Sequence, residues 1–251
     1  MNKILASFLC AVIIAGSCPA PASEDVQRKE YVGRDMDGDR RWQGTSEVRK
    51  KDGDIYVLTE KAEGVYSSFN GPISWVVEME FRDTGDTVRP LSMEKRVFDG
   101  NGEPLRVEKQ NFDFTKNIAT CSHQDIPKNT TSTKKFKFSK DIVNRQILGL
   151  YTQKLLAGGR KFAAVQMVSE EPGIYNIDLS VVRKETVDIN GRKIRAYKIL
   201  IDPRLGLLDV AKIFFPRSYA WHSAASGFEW LRYQGLEGDI RSEKVEVTTA
   251  D

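Results

Sequence analysis

The chain has 251 residues, 40% hydrophobic and 10% aromatic, with 38 basic side chains against 35 acidic ones. That length and apolar content suffice for one sizeable core. The near balance of charge excludes the concentrated basic field of a nucleic-acid binder, so no nucleic-acid partner is expected. The densest basic runs, "RKK" at 49–51 and "KKFKFSK" at 134–140, read as solvated strand or turn residues.

Residues 1–22 differ from the rest. Lys3 gives a short positive start, "ILASFLCAVIIAG" an apolar run and "APA" at 20–22 a small-x-small cleavage site, which together describe a secretory signal. The run is shorter than the roughly 20 residues that span a bilayer. Two processing routes stay open. One is cleavage after Ala22, leaving residues 23–251 as a single β-rich domain. The other rests on "AGSC" at 15–18, which resembles a bacterial lipobox and would make Cys18 the lipidated first residue. The first leads to the periplasm, the second to an anchor in the inner leaflet of the outer membrane. Cys121 is then the one thiol certain in the mature chain, so no internal disulfide is expected.

From residue 26 the pattern is mostly of period two. "DIYVLTE" (54–60), "SWVVEMEF" (74–81), "LSMEKRVF" (91–98) and "LRVEKQNFDF" (105–114) have strand length and patterning, separated by Asp/Asn-Gly turns. Asn190-Gly191 predicts a type I′ hairpin joining "IYNIDLSVVRKETVDI" to "RKIRAYKILI", because both central residues of that turn need positive φ. "RDMDGDRRWQG" (34–44) has the composition of a charged hairpin turn and fails the calcium-loop spacing, with Arg40 where the glycine belongs and Ser46 where the glutamate belongs. "DIPKNTTSTKK" (125–135) reads as an exposed loop, in which the glycosylation sequon at 129–131 is coincidental behind a bacterial-type leader.

One segment breaks the period. Over 139–159, Ile142, Val143, Ile147, Leu150, Tyr151 and Leu155 recur at three- and four-residue spacing, with Ser139 as expected N-cap and Gly158-Gly159 as stop. "RLGLLDVAKIFF" (204–215) fits a helix or a strand equally. The fold class expected is therefore α+β and mainly β: a single antiparallel, strongly curved sheet, a half-barrel wrapped over one amphipathic helix.

No catalytic, metal-binding or cofactor motif is found, and no cofactor is expected. A hydrolase would need His222 or His123 in a cleft beside a hydroxyl or carboxylate, and no G-x-S-x-G elbow is present. Large apolar residues remain, many of them in "FFPRSYAWHSAASGFEWLRY" (214–233). "RPLSMEKRVFDGNGEPLRVEKQNFDF", "DIVNRQILGLYTQKL", "DINGRKIRAYKILID" and "GFEWLRYQGLEGDIRSEKVEV" resemble the superfamily of outer-membrane lipoprotein carriers and their receptors. That resemblance implies a half-barrel whose concave apolar face accepts a lipid or a lipoprotein acyl chain. The candidate ligand-binding residues are Trp75, Phe81, Phe112, Phe114, Trp221, Phe228 and Trp230. The alternative is a scaffold or assembly factor with a filled interior that works through its surface, by adding an edge strand to a partner.

Overall fold

The computed structural model describes residues 26–169, 172–204, 217–238 and 242–250. Strand makes up 67% of the fold. Residues 1–25, with Cys18, and most of the ambiguous 204–215 segment lie outside the described residues.

The first eight strands form a meander: β1 (Gln27–Arg34), β2 (Arg40–Asp52), β3 (Ile55–Val65), β4 (Pro72–Asp83), β5 (Val88–Asp99), β6 (Pro104–Asp113), β7 (Ile118–Asp125) and β8 (Thr130–Lys137). Next come β9 (Ile142–Asn144), the helix α1 (Arg145–Ala157) and β10 (Phe162–Val168). The chain closes with β11 (Ile174–Ile189), β12 (Arg192–Arg204), β13 (Ser218–Ser223), β14 (Trp230–Leu236) and β15 (Lys244–Thr249). All fifteen strands lie in one sheet, ordered β8-β7-β6-β5-β4-β3-β2-β1-β15-β14-β13-β12-β11-β10-β9. The sheet is open, with β8 at one edge and β9 at the other.

Among the described residues, pairing is antiparallel except at one place. Helix α1 carries the chain from β9 to β10 as a crossover, so those two run parallel. This corrects the all-antiparallel expectation, and the same three residues shorten the expected helix. Ile142, Val143 and Asn144 pair with Gln166, Met167 and Val168, which fixes them as a buried strand. Asn144 rather than Ser139 then caps the helix, its side chain accepting from Ile147 N at 3.4 Å. Gly159, at φ +67, turns the chain away at the far end, as Gly158-Gly159 suggested. The Asn190-Gly191 turn has φ of +50 and +78, the positive pair that a type I′ turn requires.

The sheet curls on itself. Asn144, on the last strand in sheet order, donates to Gln110 Oε1 on β6 at 3.1 Å and approaches Met79 Sδ on β4 at 3.5 Å. The β9 edge is therefore folded over the inner face of β4–β6, and α1 lies inside the curl with Ile147, Tyr151 and Leu155 buried. Along β4, Ile73, Trp75, Val77, Met79 and Phe81 alternate onto that inner face and are all buried. At α1, Trp230 packs across Gly149, where a β-carbon would lie 3.4 Å from the indole.

The hairpin of β11 and β12 adds a smaller layer. A register shift between Val181 and Arg183 interrupts the pairing. At the hairpin tip, Asn190 Nδ2 donates to Thr249 O at 3.0 Å, reaching β15. Val187, Ile189 and Ala196 from the hairpin bury Trp221 and Leu231 in a cluster separate from the main core.

Candidate functional site

An acyl chain would need space in the interior. Trp75 is packed edge-on by Trp42 at 5.6 Å and Tyr66 at 5.7 Å, and its Nε1 donates to Glu60 at 2.8 Å. Phe81 stacks on Tyr56 at 5.6 Å. Phe112 belongs to a second buried cluster with Ala119, Cys121, Phe138, Ile142 and Val168. Phe228 and Trp230 pack at the edge of the main core, against Tyr197 at 6.0 Å and Tyr31 at 5.4 Å. Trp221 points the other way, under the β11–β12 hairpin, with Lys198 and Arg232 each 4.9 Å from its ring. The seven aromatic residues are thus spread over three clusters rather than around one chamber. A period-two pattern places residues on faces, but only the bend of the hairpin shows that Trp221's face is covered.

One end of the interior is locked by polar groups that the sequence pattern did not single out. The Glu237 carboxylate is fully buried and accepts from Trp42 Nε1 at 3.0 Å and Ser67 N at 2.7 Å, with Arg41 at 3.6 Å. Tyr66 donates to Glu237 O at 2.6 Å, and Arg145, at the start of α1, donates to the same carbonyl at 2.5 Å and to the Tyr66 hydroxyl. Lys95 Nζ lies 5.7 and 5.9 Å from the Tyr66 and Trp75 rings. It stands opposite Glu108 in the β5–β6 register. Charge buried this way is held by partners, and the arrangement ties the start of β2, the β3–β4 loop and the β14–β15 loop to the helix.

His222 has a hydroxyl neighbour without a cleft. Its Nδ1 donates to Phe228 O at 2.9 Å, so in the neutral ring Nε2 accepts from Thr152 Oγ1 at 2.7 Å. The ring is fully buried, and desolvation lowers its pKa to about 4, against the smaller opposing effect of the Phe228 carbonyl. Phe228 holds φ +46 to make this contact, a conformation that costs a non-glycine residue about 1–2 kcal/mol. Cys121 is likewise buried, and desolvation raises its thiol to about 11, far from a nucleophile at neutral pH.

Where the sheet fails to close, its edge strand β8 is exposed. The expected loop at 125–135 is in part a strand: after a turn through Ile126–Asn129, the chain forms β8. Four β-branched or small residues, Thr130 to Thr133, and the Lys-Phe-Lys-Phe alternation that follows explain why. Phe136 faces the second cluster, while every other β8 residue is exposed.

The hydrogen-bond phase of β8 follows from its neighbours. Phe138 N donates to Asn117 O at 3.0 Å, and Ile126 N to Leu105 O at 2.9 Å. In an antiparallel ladder, bonded and non-bonded pairs alternate, so with the continuous β7–β8 register the even-numbered β8 residues bond to β7. The N–H and C=O groups of Thr131, Thr133, Lys135 and Lys137 consequently point out from the free edge.

Beside the C-terminal end of β8 lies a cleft of about 440 Å³. Its lining includes Phe114 and Phe138, 5.2 Å apart and edge-on, with Arg89 over Phe114 at 5.5 Å and Lys140 at the rim. Asp141 at its back accepts from Tyr151 at 2.8 Å. A second concavity, of about 350 Å³, lies on the outer face of β1–β3 among Arg28, Glu47, Arg49 and Lys61, three cations around one carboxylate.

No protein-family description matches the chain, and no curated protein matches it. Among solved structures, the hypothetical lipoprotein YmcC of Escherichia coli K12 is similar over 89% of this chain and 86% of its own. The identity is 12% and the TM-score 0.30.

Proposed function

We propose that this chain is an exported bacterial envelope protein that acts as a non-enzymatic scaffold or assembly factor, holding an extended segment of a partner along the free edge of β8. One observation carries the reading: the outward row of backbone groups from Thr131 to Lys137 runs without a register shift and is exposed. Such an edge is a template for another strand. The leader of residues 1–22 supports export, to the periplasm or to the outer membrane if Cys18 is lipidated.

The other occupant that the sequence suggests is an acyl chain. It would need room between sheet and helix, where the described residues instead place Trp42, Trp75, Met79, Phe81 and Tyr151. Close packing of that kind favours a surface role.

Native mass spectrometry of the purified protein, with titration of a fluorescent fatty-acyl probe, separates the two. The scaffold reading expects no co-purifying lipid and no saturable probe binding. A stoichiometric lipid would overturn it in favour of a carrier.

A further inference from the structure

We infer that the segment received by β8 is acidic and carries an apolar or aromatic anchor at the end that meets the Phe114–Phe138 cleft. This rests on the strand-addition reading and specifies its partner. Between Ile126 and Lys140 the chain has five lysines, Lys128, Lys134, Lys135, Lys137 and Lys140, and no acidic residue. Lys128 is paired with Asp125 at 2.7 Å. Lys135 and Lys137 stand on the outer face of β8, opposite in direction to the inward Phe136.

An added strand would set its own side chains about 5 Å from these lysines, close enough for opposite charges to attract and like charges to repel. A second copy of this chain, pairing β8 to β8 antiparallel over this row, would bring Lys134 against Lys134 and leave Lys135 and Lys137 facing threonines, with no carboxylate to meet. The edge thus selects against itself and for carboxylates. The anchor follows from position: β8 runs straight into Phe138 and Lys140, so a paired strand ends at a cleft with an aromatic floor and cations at Arg89 and Lys140.

The test is selection of random ten-residue displayed peptides on the full protein, with counter-selection on Thr133→Pro. That proline removes an outward N–H and leaves the β7 ladder intact. Unchanged melting of the variant and unchanged far-UV circular dichroism check that it folds.

The expected result is a consensus with Asp or Glu at alternate positions and one large apolar residue at an end. A synthetic peptide of that sequence should lose about tenfold in affinity on Lys135→Glu with Lys137→Glu, and should shift the ring resonances of Phe114 and Phe138. No enrichment dependent on Thr133 overturns strand addition itself. Thr133-dependent peptides that are neutral or basic, or that lack the anchor, overturn only the chemistry inferred here. Lysine-dependent binding to phosphatidylglycerol vesicles, with no peptide selected, would overturn both and assign the edge to a membrane surface.

Discussion

The fold should lose stability as the pH falls from about 6.5 to 4, through His222. In the unfolded chain its imidazole titrates near 6.5, while in the folded chain burial holds it near 4. Above pH 6.5 both states are neutral and the group is without effect. Below that, the unfolded chain takes up a proton that the folded chain refuses, so stability is lost down to about pH 4, below which both states are protonated. Each tenfold step is worth about 1.4 kcal/mol, so the full loss is about 3 kcal/mol.

The charge has nowhere better to go, since the ring faces Thr152 and the Phe228 carbonyl, and the nearby charge that acts on it is the like-signed Lys29. Urea unfolding of the wild type and of His222→Gln at several pH values isolates the contribution from that of the carboxylates. The stability difference between the two proteins should change in the variant's favour by about 3 kcal/mol between pH 7 and 4. A difference constant to within about 0.5 kcal/mol would refute the reasoning, since it would mean that the folded ring accepts the proton freely.

The buried lock gives a second prediction. Glu237→Ala strips the acceptor from Trp42, Ser67 and Arg41 and should cost roughly 3–5 kcal/mol in urea unfolding, with Glu237→Gln retaining part of it. The β8 phase gives a matched pair: Ser132→Pro, which removes an N–H bonded to β7, should destabilise by about 2 kcal/mol, while Thr133→Pro should stay within about 0.5 kcal/mol of the wild type. Leu155→Ala, at a fully buried helix position, should cost about 3 kcal/mol. Mass spectrometry of the protein purified from whole cells should find a chain beginning at Ser23. A diacylated chain beginning at Cys18 would instead place the protein on the membrane.

Much of the architecture was legible because period two is a strong signal. The strands at 54–60, 74–81, 91–98 and 105–114 and the Asn190-Gly191 hairpin follow from side-chain alternation and turn chemistry. The helix was legible in kind but not in extent, because Ile142 and Val143 suit a helix face as well as a buried strand, and only pairing with β10 decides. The 125–135 segment looked like a loop because its alternation is written in threonine, serine and lysine, which carry little hydrophobic contrast. Its phase becomes visible only through Phe136 and Phe138. The polar lock was out of reach of local pattern, since Glu237 meets Trp42 and Tyr66 across more than 170 residues of chain. Likewise, Trp221, Phe228 and Trp230 share one short stretch, but a register shift between Trp221 and His222 and a tight turn at Gly227-Phe228 send them to different surroundings.

Amide hydrogen exchange at single-residue resolution tests strand capture at β8 most directly. On adding the selected acidic peptide, Thr131, Thr133, Lys135 and Lys137 should become protected, while Ser132, Lys134 and Phe136, already bonded to β7, should change little. Protection absent from those four amides, or confined to the interior around Trp75 and Tyr151, would contradict the account.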